Sequence, residues 1–182
     1  CLFIRRSIME KICPLIHGGG QEWQKRSGTL NVPGIVGMGE AAFLAVHDFD
    51  EENTRIRLLR DRLFNNLRAL SGVHVNGTLE RRVSGNLNVS FEGIDGEELV
   101  LAICHRVAIS TGSACSSSAG GKSRVLIEMG VPSELRQASI RFGLGRGTTA
   151  LDIDEASSLI VEQVRLLRRH KSGQKKLIKI AQ

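Results

Sequence analysis

Tyrosine is absent from this 182-residue chain, tryptophan occurs once, and aromatic residues make up only 4%. A hydrophobic core must therefore rest on Leu, Ile and Val, and the 41% apolar content is enough to build one. No uninterrupted apolar run approaches the ~18 residues of a membrane span, so no membrane partner is expected. A start methionine and the long apolar core of a signal peptide are missing too. The chain opens on Cys1-Leu2-Phe3-Ile4 followed by Arg5 and Arg6, and this reads as the middle of a longer polypeptide.

Cysteine is scarce and scattered. Cys1, Cys13, Cys104 and Cys115 form no C-x-x-C pair, so no zinc or other metal site is expected. A reducing, intracellular setting is expected instead, the cytoplasm or, in a eukaryote, the mitochondrial matrix. Cys1, Cys13 and Cys104 lie in apolar stretches and are expected to be buried, inert thiols. The net charge is +6, but the excess gathers near the end, at Arg168, Arg169, Lys171, Lys175, Lys176 and Lys179. A solvated tail or a surface for an acidic partner both fit. Neither a helix-turn-helix pattern nor aromatic-and-basic interleaving accompanies the charge, so nucleic acid is not expected.

Residues 1–16 read as one or two apolar strands, followed by the triple glycine Gly18-Gly19-Gly20. After Pro33, Ile35, Met38, Ala42 and Val46 recur at helical spacing, and Ile56, Leu59, Leu63, Leu67 and Leu70 do so again beyond Asp48-Phe49-Asp50. Val73-His74-Val75 is a short strand with Asn76-Gly77 as its turn. Asn86 to Phe91 alternates as a half-buried strand, and Asp95 with Glu98 marks the start of a helix running to Cys104. Val107 to Ser110 is a further strand, Val125 to Met129 a short helix closed by Gly130, and Ser139 to Leu144 another alternating strand. Thr149 caps a last helix striped by Ile153, Ala156, Leu159, Ile160, Val164 and Leu167. The expectation is a small α/β layer packed by helices.

Three clusters carry chemistry. Cys115 sits among Gly112, Ser113, Ala114, Ser116, Ser117 and Ser118, with almost no side-chain bulk around it. That composition fits a reactive thiol on an accessible loop, since nearby positive charge can lower a free thiol pKa of ~8.5; it equally fits a serine-rich linker. Arg141 shares a strand face with Ser139 and Gly143, which leaves its planar fork open to a carboxylate or to solvent. His17 and the glycines, with Ser27, Gly28 and Thr29 after them, fit either a turn or a phosphate cradle.

Together these clusters resemble one family, the cysteine desulfurases of the class V aminotransferase group. His17-Gly18-Gly19-Gly20-Gln21-Glu22, Arg26-Ser27-Gly28-Thr29 and Gly37-Met38-Gly39 resemble the segment that follows the cofactor lysine. Asn86 to Phe91 and Gly96-Glu97 resemble its small-domain strand and helix. Ser110-Thr111-Gly112-Ser113-Ala114-Cys115 matches the long catalytic loop, and Ser139 to Arg146 the strand after it. The resemblance implies pyridoxal-phosphate fold type I, with residues 1–48 a remnant of the large cofactor-binding domain and 49–182 the small C-terminal domain. It implies conversion of L-cysteine to L-alanine in a homodimer, with sulfur passed as a persulfide to an acceptor or scaffold protein for iron–sulfur cluster or other sulfur-product assembly. Cys115 would be the nucleophile, Arg141 the clamp on the substrate carboxylate and Thr29 a phosphate contact reaching the partner subunit. The cofactor lysine precedes the matched region in the family. Neither Lys11 nor Lys25 has its context, so this chain is expected to need a lysine-bearing half. Other readings remain: a non-catalytic regulatory or dimerisation module of an intact homologue, a stand-alone sulfur carrier, or a selenocysteine lyase.

Overall fold

The computed structural model describes residues 1–111 and 123–180, the side chains of 173–180 excepted. It divides into two compact units, Cys1–Phe49 and Asp50–Gln182.

The first unit holds a 3-10 helix (Arg6–Lys11), a single turn α1 (Gln21–Gln24) and the helix α2 (Val32–His47). Asn31 caps α2 by accepting from Gly34 N, with Pro33 at the first turn, where its missing N–H costs nothing. The strands expected over residues 1–16 do not form. A strand needs a neighbour to take its backbone groups, and this unit contains none. The segment instead closes local bonds such as Ile8 N to Arg5 O at 3.0 Å. No residue of 1–49 is buried. Phe3, Val36, Phe43 and Val46 all stand exposed.

The second unit has a core. Helix α3 (Phe49–Leu67) follows α2 after a single intervening residue, Asp48, and its Leu59, Leu63 and Leu67 form a buried stripe at helical spacing. Strands β1 (Val73–Val75), β2 (Asn86–Phe91) and β3 (Ser139–Gly143) make an antiparallel sheet in the order β1-β2-β3. Alternation sends Leu87, Val89, Phe91, Ile140 and Phe142 into that core. Helix α4 (Gly96–Ile103) adds Leu99 and Ile103, and α7 (Ala150–Ile180) adds Ile153, Ile160 and Val164.

Both of these helices start as the sequence predicts. Asp95 accepts from Glu97 N and Glu98 N at 2.7 and 3.3 Å. Thr149 and Asp152 cap α7 reciprocally, each taking the other's backbone N–H. Helix α5 (Arg124–Glu128) is present, and α6 (Ser133–Gln137) is an element the hydrophobic pattern did not announce. The strand expected at Val107–Ser110 is reduced to one bridge, Ser110 to Arg141. Among the described residues no helix is long and apolar enough to cross a membrane.

Candidate functional site

The sheet's other face is polar, because the residues that alternate with the core set are Asn86, Asn88, Ser90, Ser139 and Arg141. A cleft of about 410 Å³ opens there, lined by Arg141, Asn88, Asn76, Arg82, Ser123 and neighbouring residues. Among the described residues no Asp or Glu lines it. Arg141 is exposed, and its guanidinium meets no acceptor among the described residues. Opposite it across the β2–β3 ladder stands Asn88. Ser110, on the other edge of β3, fixes the Arg141 backbone through bonds of 2.7 and 3.4 Å.

A buried polar network floors the cleft. Asn76 Nδ2 donates to Asn88 Oδ1 at 2.6 Å and to Ser90 Oγ at 2.8 Å. Ser139 Oγ donates to the same Asn88 oxygen at 3.1 Å. Asn76, Ser90 and Ser139 are all buried, so these groups depend on one another for satisfaction. Arg82 is anchored through Nε to Thr78 O at 3.0 Å and through Nη2 to Asn76 O. Its Nη1 is buried with no partner among the described residues. Burial, and after it the like charge of Arg60, pull its guanidinium pKa below the ordinary value. A cleft with this field and no carboxylate of its own suits an incoming anion.

Of the three site residues expected from sequence, Arg141 lies in this cleft. Cys115 lies outside the described residues. Thr29 belongs to the first unit, where it is exposed. Arg26 folds its guanidinium onto Gly28 O and Thr29 O at 3.3 and 3.2 Å, while the Thr29 hydroxyl meets no partner among the described residues. A free hydroxyl beside a guanidinium fits a phosphate. The glycine run lines a separate hollow of about 350 Å³ with His17 and Gln24, and Thr29 is not part of it. Of the two lysines in this unit, Lys25 is occupied, donating to Ile12 O at 2.9 Å.

Cys1, Cys13 and Cys104, expected to be buried, are exposed. The first two share the fate of a unit with no buried residue. Cys104 follows Ile103, which takes the inward position four residues after Leu99; one more residue turns the side chain outward. Asn76, Asn88 and Arg82 are site residues that the sequence reading did not single out. The polar side of β2 was visible as alternation, but its apposition to Arg141 depends on a pairing between distant segments.

The class-V aminotransferase family model matches residues 1–156. A cysteine desulfurase IscS from Tolumonas auensis is 47% identical over 167 residues, covering 92% of this chain and 41% of that protein. Another, from Anaeromyxobacter sp. strain K, is 50% identical over 168 residues with the same coverage. A NifS-like protein of known structure superimposes with a TM-score of 0.73 at 35% identity, over 85% of this chain and 39% of its own. A NifS-like protein from Rickettsia africae gives 0.70 at 28% identity. The chain thus spans 41% of the length of these curated relatives, and its α/β architecture is part of the NifS-like fold. With residues 1–156 matched to the family model, the chain belongs to the class-V aminotransferase family.

Proposed function

We propose that the chain is the C-terminal part of a pyridoxal-phosphate cysteine desulfurase, which takes sulfur from L-cysteine onto Cys115 and leaves L-alanine. The observation that carries this reading is the cleft: among the described residues, Arg141 has no acceptor and faces a hollow lined by no acidic side chain. Its strand is bonded to Ser110. Cys115 follows Ser110 by five positions in the sequence, so chain length alone keeps their Cα atoms within ~18 Å, at up to ~3.6 Å per residue.

Arg141 binds the carboxylate of the substrate through two parallel N–H bonds and so orients its β-carbon and thiol. The Cys115 thiolate attacks the substrate sulfur, forming an S–S bond as the substrate C–S bond breaks. The electron pair of that bond stays with the substrate carbon, which takes a proton and becomes the methyl of alanine. Pyridoxal phosphate, when bound, supplies the electron sink that weakens the C–S bond. Thr29 gives its hydroxyl to the phosphate, across a homodimer interface. The lysine that attaches the cofactor is proposed to lie outside these residues. Residues 1–48 form part of the large cofactor-binding domain and 49–182 the small domain, a division supported by the boundary at Phe49 and the absence of buried residues before it. The persulfide then passes to an acceptor or scaffold protein for iron–sulfur cluster or other sulfur-product assembly.

The test supplies the chain with the lysine-bearing part of a relative and cofactor, then adds L-cysteine labelled in its sulfur. Alanine and chain-bound label should appear in equal amounts, and Cys115→Ser should abolish both while the cofactor absorbance persists. Alanine formation unaffected by that change would overturn the reading.

A further inference from the structure

We infer that Asn88 is a second contact for the substrate carboxylate, presenting its side-chain N–H to the anion that Arg141 holds; this rests on the clamp role proposed for Arg141. The register of β2 and β3 sets Asn88 directly opposite Arg141. The backbone N–H and C=O of Arg141 both turn to Ser110, and the Asn88 carbonyl turns the other way to accept from Asn76 N at 3.0 Å. The two residues therefore form a non-hydrogen-bonded pair, the type with Cα atoms only ~4.5 Å apart and side chains closest together. Both line the same cleft.

What Asn88 can offer there is set by its neighbours. Its Oδ1 already accepts two bonds, from Asn76 Nδ2 at 2.6 Å and Ser139 Oγ at 3.1 Å, which fills the two lone pairs of an amide oxygen. In the amide orientation of this network, Nδ2 donates to nothing among the described residues. The remaining polar edge of Asn88 is thus a donor, held in place by buried partners, beside a guanidinium with no acceptor among the described residues. A carboxylate accepts up to about four hydrogen bonds. A bidentate arginine uses two, and an amide N–H from the facing strand supplies a third. The same arrangement discriminates, since an uncharged or carboxylate-free thiol would leave both donors without a partner.

The experiment uses the full 182-residue chain, labelled with nitrogen-15 and titrated with L-alanine, the thiol-free product. L-alanine methyl ester is the control without a carboxylate charge. The side-chain amide of Asn88 and the Nε–H of Arg141 should shift along one binding curve, and the ester should move neither. Asn88→Ala should weaken L-alanine binding roughly ten-fold, the effect of one hydrogen bond to a charged group. Because that change strips Asn76 and Ser139 of an acceptor, Asn88→Asp is measured as well. It keeps the acceptor, removes the donor, and should abolish binding with the backbone spectrum of β2 and β3 intact. An Arg141 signal that responds while the Asn88 amide stays still, with affinity unchanged in Asn88→Ala, makes Asn88 structural only and overturns this inference while the clamp stands. Binding that is absent from the unaltered chain, or untouched by Arg141→Ala, removes the clamp and this inference with it.

Discussion

Ser110 and Arg141 exchange both of their facing backbone hydrogen bonds, at 2.7 and 3.4 Å. The first belongs to the segment that leads into Cys115, the second to β3. This pairing leaves the Arg141 side chain free to project into the cleft while its backbone is held on one edge by Ser110 and on the other by β2. Arg141→Lys should therefore change recognition without changing the fold. An exposed side chain with no partner among the described residues contributes little, so stability should stay within ~0.5 kcal/mol. The Michaelis constant for L-cysteine in the cofactor-bearing enzyme should rise roughly ten-fold, because an ammonium cannot reproduce the bidentate fork. Urea unfolding and steady-state kinetics check the two halves separately.

Among the described glycines of the second unit, Gly85 leaves the least room for a side chain. Its carbonyl accepts from Leu144 N at 2.7 Å, and a Cβ built on it would stand 2.2 Å from Leu144 O. Backbone cannot swing aside as a long side chain can. Gly85→Ala should thus part β2 from the segment after β3, at a cost in the upper part of the ~1–3 kcal/mol range for overpacking. The midpoint of urea unfolding should fall accordingly. An unchanged midpoint would show that the 144–149 turn relaxes freely, despite Arg55 donating to Thr148 O and Arg146 O at 2.8 Å each.

Local signals in the sequence agree with the structure where the element satisfies itself locally. The Asp95 cap, the Thr149–Asp152 pair, the alternation of β2 and β3 and the stripes of α3 and α7 all have their causes within a few residues. The departures from expectation share a different cause. Residues 1–16 and Val107–Ser110 have strand-like composition, but a strand is completed by a neighbour, and composition does not say whether one is present. The cysteine burial failed for the same reason at Cys1 and Cys13, and at Cys104 because helical phase, not apolar surroundings, decides which side chain points inward. The cleft was half legible: Arg141 on an open face could be read from its small neighbours, whereas Asn88 acquires its role only from the register with β3.

Asp154 ties α7 to α3. Arg62 donates to it through Nε at 2.7 Å and Nη2 at 2.5 Å, and Asn66 adds a longer bond. The Arg62 bond holds the Asp154 carboxyl below the usual aspartate range; burial opposes it, and the Arg62 charge and the Asn66 bond add to the lowering. Asp152 is likewise lowered, by the Thr149 backbone N–H and then its hydroxyl. A folded-state pKa below the unfolded value means that the contribution is present above the ordinary carboxylate value of ~3.9 and is lost as pH falls through the folded pKa. Stability should thus be insensitive to these groups at neutral pH and decline below about pH 4. Asp154→Asn should reduce that acid slope, and Asp152→Asn should reduce it further. Unfolding measured from pH 2 to 7 checks this; an acid slope identical in the double variant would sink the assignment.

Exposure does not by itself select a nucleophile, since Cys1, Cys13 and Cys104 are all exposed. Cys104 ends α4 with its thiol 3.4 Å from Leu101 O, outside the cleft that holds Arg141. A buried cysteine changed to serine would lose ~1–3 kcal/mol through its stranded hydroxyl. At an exposed helix end water satisfies that hydroxyl, so Cys104→Ser should leave stability within ~0.5 kcal/mol. It should leave sulfur transfer unchanged too, because the proposed transfer needs a thiol that reaches a substrate held at Arg141. Peptide mass spectrometry after one turnover of the cofactor-bearing enzyme should find the added sulfur on the peptide containing Cys115 alone. Sulfur on Cys104 or Cys13, with Cys115 bare, would reassign the nucleophile.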